Sequence, residues 1–373
     1  IEDYEEGTAG EDFALQLHQM TYPNIADATT RITNTTSNAV SEVNLEFLNE
    51  IINIISSRVS DMGNFLGSSF NPTATNATKS TKVSSENNYI SGVAAGDENN
   101  RFGVWATPFY SKSTQKKRSG TSGFKADSYG GTFGADTRVN DNMILGAAFT
   151  AMNTDIKHKD FKSGDKTKVS TYLLSIYGLH QFTNNWFGQG VVSIGSSSVN
   201  NKENRRISNT QLAIAEGKYS SMTFATEVLA GYNHMFNDQL VVTPMFGLNY
   251  NRINDGSYNE SGAAAGPQLM EVTKKASQKL DIVGGVKVET KPIILNGVAI
   301  TPEVHAFVRH DVIGKGAKVN AKISGLSLLP GEKAKLQKTF YEVGTSLDAS
   351  YGSMDYGISA DATFAKKYVG VQG

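Results

Sequence analysis

The chain has 373 residues, with 35 Lys and Arg against 36 Asp and Glu, 39% hydrophobic residues and no Cys. The balanced charge excludes a polybasic nucleic-acid-binding protein, because phosphate recognition needs a clear excess of Lys and Arg. The absence of Cys excludes disulfides, Cys-ligated zinc and thiol catalysis, and it suits an oxidising compartment. No apolar run approaches the roughly 18 residues of a membrane-spanning helix.

The first 40 residues are polar, rich in Thr and Asn, and only weakly periodic. We assign residues 1–40 to a linker with at most a short helix. The chain opens at Ile1 without a Met, a basic segment or an apolar signal sequence. We therefore expect it to be a fragment of a larger precursor.

A single helix is predicted over residues 41–66. Apolar residues recur there at alternating spacings of three and four, which is the period of one helix face: Leu45, Leu48, Ile52, Ile55, Val59, Met62 and Leu66. Such a helix would be about 39 Å long, which is enough to thread a barrel, although a coiled-coil or globular core helix fits the same stripe. Residues 67–100 are rich in Ser, Thr and Asn and are predicted to be a linker without a core of its own.

Strands recur from residue 101 onward, and the pattern predicts eleven of them. Most are longer than the 5 or 6 residues usual in soluble folds, whereas a tilted strand that crosses a membrane needs about 9 to 11. The predicted strands cover residues 102–111, 124–138, 143–154, 168–182, 186–199, 219–236, 240–253, 278–291, 297–311, 339–351 and 354–368.

The links between these strands alternate between short and long. Links after even-numbered strands are tight, as at residues 139–142 and 183–185, and links after odd-numbered strands are long and polar, as at 200–218 and 312–338. This alternation is typical of outer-membrane barrels, whose periplasmic turns are tight and whose extracellular loops are long. A soluble barrel or a two-sheet sandwich remains the alternative, because period-2 alternation alone fits any half-buried sheet.

Apolar and polar residues alternate along the later strands, so we assign one face to lipid and the other to a wet lumen. Aromatic residues near strand ends are expected to form the interfacial girdle: Tyr232, Phe236, Tyr250, Tyr341, Tyr351, Tyr356 and Phe364. The predicted lumen residues carry both signs of charge: Glu227, Asp281, Lys287, Glu303, His305, Arg309, Glu342, Asp348 and Asp361.

The predicted fold is thus an all-β, transmembrane antiparallel barrel with an N-terminal α-helix in its pore. Bacterial single-chain barrels have even strand numbers. Eleven strands therefore indicate a design of twelve, and we expect residues 101–373 to form a barrel from which the last strand is missing. An apolar stripe is unfavourable in a charged lumen. We therefore expect it either to pack on lumen Gly and aromatic residues or to help the end of the passenger fold.

Four features of this sequence resemble those of a known family. A helix with 3-4 spacing, a linker, an opening strand Phe102–Tyr110 reading FGVWATPFY and a tail Tyr356–Ala360 reading YGISA resemble the translocator domain of autotransporters, the type V secretion proteins. The likeness covers residues 41–373 and is strongest to rickettsial surface antigens of the outer membrane protein B kind. The family's chains end in a strand with a terminal aromatic residue, and this sequence departs from that pattern.

The resemblance implies a location and partners. In that family the barrel lies in the bacterial outer membrane, the helix passes through the pore, and an upstream passenger reaches the cell surface. Residues 1–40 would then be a passenger remnant. The implied partners are outer-membrane lipid, the chain's own passenger, the barrel-assembly machinery and a host-cell surface. A diffusion porin and an adhesin that binds host receptors through its long loops remain alternatives.

Enzymatic chemistry has few candidates in this sequence. The six His residues lack metal-ligand spacing, and no nucleotide-binding or hydrolase motif is present, so no cofactor or metal is predicted. The resemblance implies one further hypothesis, self-cleavage of the linker inside the pore. Its candidates are Asn88, Asn100, Glu227 and Asp281, and plain electrostatic pairing in a wet pore is the alternative reading of the two carboxylates. The basic run Lys112 to Arg118 is predicted to be a solvated outer loop, with contact to lipopolysaccharide or a host surface as the alternative.

Overall fold

The computed structural model describes residues 9–33, 37–67, 102–118, 122–183, 185–237, 239–316, 319–323, 326–327, 336–351 and 354–373. Three helices come first: α1 at Ala9–His18, α2 at Tyr22–Thr33 and α3 at Ser37–Gly67. The third contains the predicted helix and extends it by several residues at its N-terminus. The first two fall in the segment expected to be mainly linker. None of the described helices is both long enough and apolar enough to cross a membrane.

Twelve antiparallel strands close into one barrel, in which each strand pairs with its neighbour in sequence and the last pairs with the first. The first eleven confirm the predicted strands, with ends shifted by a few residues and the fifth and sixth longer than predicted. The strands are β1 Phe102–Gln115, β2 Phe124–Asn140, β3 Met143–His158, β4 Lys166–Gln181, β5 Trp186–Arg206, β6 Leu212–Tyr232, β7 Leu240–Asp255, β8 Ser277–Thr290, β9 Val298–Asp311, β10 Thr339–Tyr351, β11 Met354–Ala365 and β12 Tyr368–Gln372.

The twelfth strand corrects the expectation that the last strand is missing. Lys367 adopts a positive φ of 64°, and the chain reverses there so that Tyr368–Gln372 pairs with β11 on one side and with Ser111–Gln115 of β1 on the other. Five residues are too few to show a convincing alternation on their own. The sequence pattern therefore gave no signal for this strand.

The links give the barrel two distinct ends, although their alternation is less strict than predicted: the links after β7 and β9 are long, whereas those after β5 and β11, at residues 207–211 and 366–367, are short. At the short-turn end, tight links follow the even strands, as at residues 141–142 between β2 and β3. At the long-loop end, the links after β7 and β9 pair into a small four-stranded sheet that includes Met270–Lys274 and Val319–Ile323. The predicted loop 200–218 is instead a projecting hairpin, in which β5 and β6 continue to a turn at residues 207–211.

The two faces of the strands differ as the alternation predicts. Val228 on β6 is 61% exposed on the outside, while its neighbour Glu227 is buried inside. Among the girdle candidates, five are exposed and two, Tyr232 and Tyr250, are half-buried. Tyr232 lies against Trp186 with ring centroids 4.9 Å apart. The outer surface is therefore broadly apolar, which in water would be a liability and in lipid is the required surface.

Candidate functional site: the pore and its helix

Helix α3 lies lengthwise inside the barrel. Its N-terminal part meets the long-loop end, where Ser41 Oγ donates to Asp255 Oδ2 at 2.8 Å. Its C-terminal part meets the short-turn end, where Ser60 Oγ donates to Gln189 Oε1 at 2.8 Å. At about 1.5 Å per residue its 31 residues are about 46 Å long, more than the roughly 30 Å hydrocarbon core.

The apolar stripe of α3 packs against one side of the lumen, which we call the apolar wall. The predicted stripe residues Leu45, Leu48, Ile52, Ile55 and Val59 are all at most 4% exposed, and α3 approaches β4 and β5 most closely. Stripe and wall form a single buried cluster. The apolar wall consists of the inward residues Ile144, Met152, Val169, Leu173 and Val191 of β3 to β5.

This wall explains how the apolar stripe of α3 is buried in a lumen that was predicted to be charged. We expected Gly and aromatic residues to receive the stripe, and the structure uses mainly aliphatic side chains, with Tyr177 and Phe187 in the same cluster. Burial of a Leu or Ile side chain stabilises by about 1.5–3 kcal/mol relative to exposure, so the stripe is a major source of affinity between helix and barrel. The side chain of Met62, the last stripe residue in the predicted pore set, lies outside the described residues.

The neighbouring flank of α3 meets charged and amide side chains, which we call the polar wall. Glu46 pairs with Lys279 at 3.0 Å, and Asn49 Oδ1 accepts from Asn251 Nδ2 at 2.8 Å. One turn further along, Asn53 Nδ2 donates to Glu342 Oε2 at 2.8 Å while Arg309 Nη1 donates to Asn53 Oδ1 at 3.4 Å. Ser56 Oγ donates to Glu227 Oε1 at 2.5 Å. The polar wall is Glu227, Asn251, Lys279, Arg309 and Glu342.

The predicted lumen residues divide into two groups. Glu227, Arg309 and Glu342 touch α3 directly, and Asp281 reaches it through Lys279, 3.4 Å away. Most of the remaining residues surround Glu303, which pairs with Lys287 at 2.8 Å and His305 at 3.0 Å. His305 Nε2 lies 3.9 Å from Glu342 Oε1, which links the two groups. His305 also lies 3.1 Å from Asp361, and Ser346 Oγ donates to Asp348 at 3.2 Å.

Several contacts were missed by reasoning from the sequence. Arg58 pairs with Asp136 of β2 at 3.4 Å, and Asp136 also accepts from the Tyr177 hydroxyl at 3.2 Å. Arg118, the last residue of the predicted basic run, turns inward to pair with Glu42 of α3. Extending the inward parity to the first five strands would have found Asp136 and Gln189. Nothing in the sequence marks Arg118, because its direction depends on the path of the loop.

Helix α2 is held at the long-loop end by an ionic cluster on the projecting hairpin, here called the outer cluster. Arg206 Nε lies 2.6 Å from Asp27 of α2, and Lys162 Nζ donates to the Arg31 carbonyl oxygen at 2.7 Å. Behind these contacts, Glu203 accepts from Lys162 at 2.6 Å and from Arg205 at 2.9 Å. Arg205, fully buried, also pairs with Glu260 at 2.6 Å.

Both carboxylates named for self-cleavage have polar neighbours. Glu227 is occupied by Ser56 and by Asn249 Nδ2, which donates at 3.1 Å, and Asp281 lies beside Lys279. Asn88 and Asn100 lie outside the described residues. Within the part of the chain that the structure describes, no group of three or more His, Asp or Glu is placed to hold a metal ion.

Comparison with known proteins identifies the family. Residues 104–363 match the model of the autotransporter beta-domain. Outer membrane protein B of Rickettsia rickettsii is 38% identical over 290 residues, which cover 75% of this chain and 17% of that protein. Outer membrane protein A of Rickettsia conorii is 36% identical over 289 residues, covering 75% of this chain and 14% of that protein. The chain thus spans less than a fifth of the length of these two relatives.

Solved structures of low sequence identity share the fold. The translocator domain of autotransporter NalP from Neisseria meningitidis matches with a TM-score of 0.55 at 15% identity, covering 74% of this chain and 88% of that one. The transport unit of AIDA-I from Escherichia coli matches with a TM-score of 0.53 at 12% identity, covering 74% and 91%. The chain therefore belongs to the autotransporter beta-domain family, and its barrel lies in the bacterial outer membrane.

Proposed function

We propose that this chain is the outer-membrane translocator that exports an N-terminal passenger and anchors it at the cell surface. The observation that carries the proposal is the direction of α3, which enters the barrel at the long-loop end and leaves it at the short-turn end. Long loops face outward and short turns face the periplasm in barrels of this class. Chain that precedes Ser37 is therefore outside the cell.

The lumen contacts support anchorage after export. The apolar stripe and the polar contacts engage α3 along its described length, so the helix both fills the pore and ties the exported chain to the membrane. The outer cluster adds a second attachment, because it fixes α2 to the hairpin outside the pore. An open diffusion porin is not favoured, since its lumen would have to stay free for solutes.

The topology is tested by placing an epitope before Ile1 and treating intact cells with a protease. The proposal expects loss of the epitope signal while the barrel stays protected in the membrane. An epitope that becomes accessible only after the cells are lysed would contradict it. A matched epitope in the short turn at residues 141–142 should stay protected on intact cells, and this serves as the control for cell integrity.

Further partners follow from the same proposal. We infer that the barrel-assembly machinery inserts the chain, and depletion of that machinery should leave it unassembled. Adhesion to host receptors through the long loops stays a hypothesis. Deleting the sheet-forming loop segments 258–274 and 319–327 tests it, and unchanged binding of bacteria to host cells would end it.

Self-cleavage also stays a hypothesis. Glu227 contacts the pore helix at Ser56, far along the chain from Asn88 and Asn100, and this favours a structural role for the carboxylate. Replacing Asn88, Asn100, Glu227 and Asp281 one at a time and measuring release of the passenger distinguishes the roles. Unchanged release in all four variants would exclude self-cleavage by these residues.

A further inference from the structure

The outward face of β1 to β6 carries a concentration of lysines near the long-loop end, which we call the lysine patch. All its members are exposed: Lys112, Lys125, Lys157, Lys166, Lys168, Lys202 and Lys218. Three carboxylates share the same face, Asp127, Asp155 and Glu216. The patch therefore has an excess of four positive charges on a chain whose net charge is only -1.

The strand register places four of these lysines side by side. Lys125 lies directly opposite Lys157, Lys157 opposite Lys166, and Lys166 opposite Lys202, on four consecutive strands. Neighbouring strands are about 4.8 Å apart, and like charges directly opposite each other are destabilising. The row therefore costs the isolated barrel stability.

The protein supplies few counter-charges to this row. Lys202 pairs with Glu216 at 2.9 Å, but among the described residues Lys125, Lys157 and Lys166 have no ion pair. In the adjacent row, Lys112 and Lys168 approach Asp127 and Asp155 only at 3.7 and 3.8 Å. The row thus has the charge of an anion-binding surface, and Glu216 compensates it at one end only.

The position of the patch indicates where the anion comes from. On the same outward face, Tyr110, Tyr129 and Tyr172 are each more than half exposed, and Phe133, Leu174 and Ile176 follow them toward the short-turn end. Lys168 is four residues from Tyr172, about 13 Å along the strand at 3.3 Å per residue. Aromatic rings of this kind lie at the membrane–water interface. The lysines lie on the aqueous side of the rings, from where their long side chains reach back toward headgroup phosphates.

The opposite side of the barrel provides a contrast. Outward positions near the long-loop ends of β7 to β10 include Arg252, Asn254, Gln278, His310 and Thr339, with a single permanently charged side chain among these five. Exposed lysines also occur at that end outside the strands, as at Lys275, Lys315 and Lys338. The distinguishing feature of β2 to β5 is that four lysines face each other on paired strands, and this register indicates a localised ligand.

We propose that the lysine patch binds the phosphate groups of an anionic glycolipid of the outer leaflet. Lysine amines bind phosphate as point charges, and closely spaced amines fit a lipid that carries more than one phosphate. Bound lipid would remove the repulsion along the row and hold the barrel in one rotational orientation relative to its lipid neighbours. A sulfated polysaccharide is the main competing ligand, but the side-wall position beside the aromatic belt favours a lipid.

The test uses the full chain refolded in neutral detergent and titrated with bisphosphorylated lipid A, with its dephosphorylated form as the ligand control. A triple variant, Lys125→Gln, Lys157→Gln and Lys166→Gln, is compared with Lys275→Gln, Lys322→Gln and Lys338→Gln, which remove three exposed lysines from the loops. We expect the first variant to bind lipid A about tenfold or more weakly and the second to bind it like the native chain.

Two results would overturn the proposal. One is equal binding of lipid A by both variants and the native chain. The other is tighter binding of heparin than of lipid A, with heparin displacing the lipid, which would assign the patch to a polysaccharide. Thermal unfolding without lipid controls for misfolding. The patch variant should unfold at the same temperature as the native chain or higher, because the repulsion between the lysines has been removed. A lower unfolding temperature would contradict the inference that the lysine row destabilises the isolated barrel.

Discussion

The apolar wall and the polar wall hold the same helix by different means. Against the apolar wall, the stripe of α3 makes contacts that need only shape and volume. Against the polar wall, each partner is a specific atom, as in the Asn53 to Glu342 hydrogen bond at 2.8 Å. Apolar contact is non-directional, whereas a buried hydrogen bond is directional and a lost partner is costly. The first wall therefore provides most of the affinity, and the second selects one position of the helix.

The largest expected effect comes from removing the helix from both walls. A chain that lacks residues 1–90 should form a barrel with an open lumen, because α3 fills the space between the walls in the native chain. Conductance in planar bilayers should then rise from near closure to that of an aqueous channel. Equal conductance for the native and shortened chains would show that the helix does not seal the pore.

Among single substitutions, one in the polar wall should cause the largest loss in the free energy of unfolding. Arg309→Met leaves Glu342 without its 3.1 Å partner in a buried site, and such a loss typically destabilises by about 3–5 kcal/mol. Urea unfolding of the refolded barrel measures it. Arg252→Met, at an exposed outward position, is the matched control, and the prediction is wrong if the two variants unfold alike.

A single substitution in the apolar stripe that packs on the apolar wall should destabilise the protein somewhat less. Ile55 is fully buried, and Ile55→Ala should destabilise by about 2–5 kcal/mol through lost burial and a cavity. Leu212→Ala at the exposed hairpin tip should change stability by about 0.5 kcal/mol or less. Ile55→Val should recover most of the loss, and a Val variant as unstable as the Ala variant would argue against simple packing.

The smallest effect concerns the outer cluster, which lies beyond both walls. Burial acts to raise the pKa of Asp27, but a hydrogen bond from Arg206 and the charge of Arg31 hold that pKa below its ordinary value. Its stabilising contribution is therefore present above about pH 4 and is lost as the pH falls through the lowered pKa. Asp27→Asn should weaken docking of α2 by about 1 kcal/mol or less.

Hydrogen exchange of the α2 amides measures this loss. Protection in the native chain should decrease toward acid pH, and the Asn variant should already be less protected at neutral pH with a flatter dependence. Amides of β4 serve as the internal reference. A native chain whose α2 protection is independent of pH would separate Asp27 from the docking.

The strands could be predicted because lipid outside and polar groups inside give a strong period of two, as for Val228 beside Glu227. The apolar wall could not be predicted, because β3 is apolar on both faces. Ile144 and Met152 lie inside the barrel, while Leu145 and Phe149 lie outside. When both faces are apolar, the alternation disappears from the sequence. The tyrosines and lysines of the outer rim show a similar limit, because Lys125 and Lys157 become neighbours only through the strand register.

The contacts along the polar wall have a consequence for the resting depth of α3. A shift of one turn moves the helix by about 5.4 Å, after which apolar side chains would still meet apolar side chains. The same shift would separate Asn53 from Glu342 and Ser56 from Glu227. The polar wall thus fixes the axial position of α3. A chain that slides through the barrel comes to rest where these polar pairs are matched.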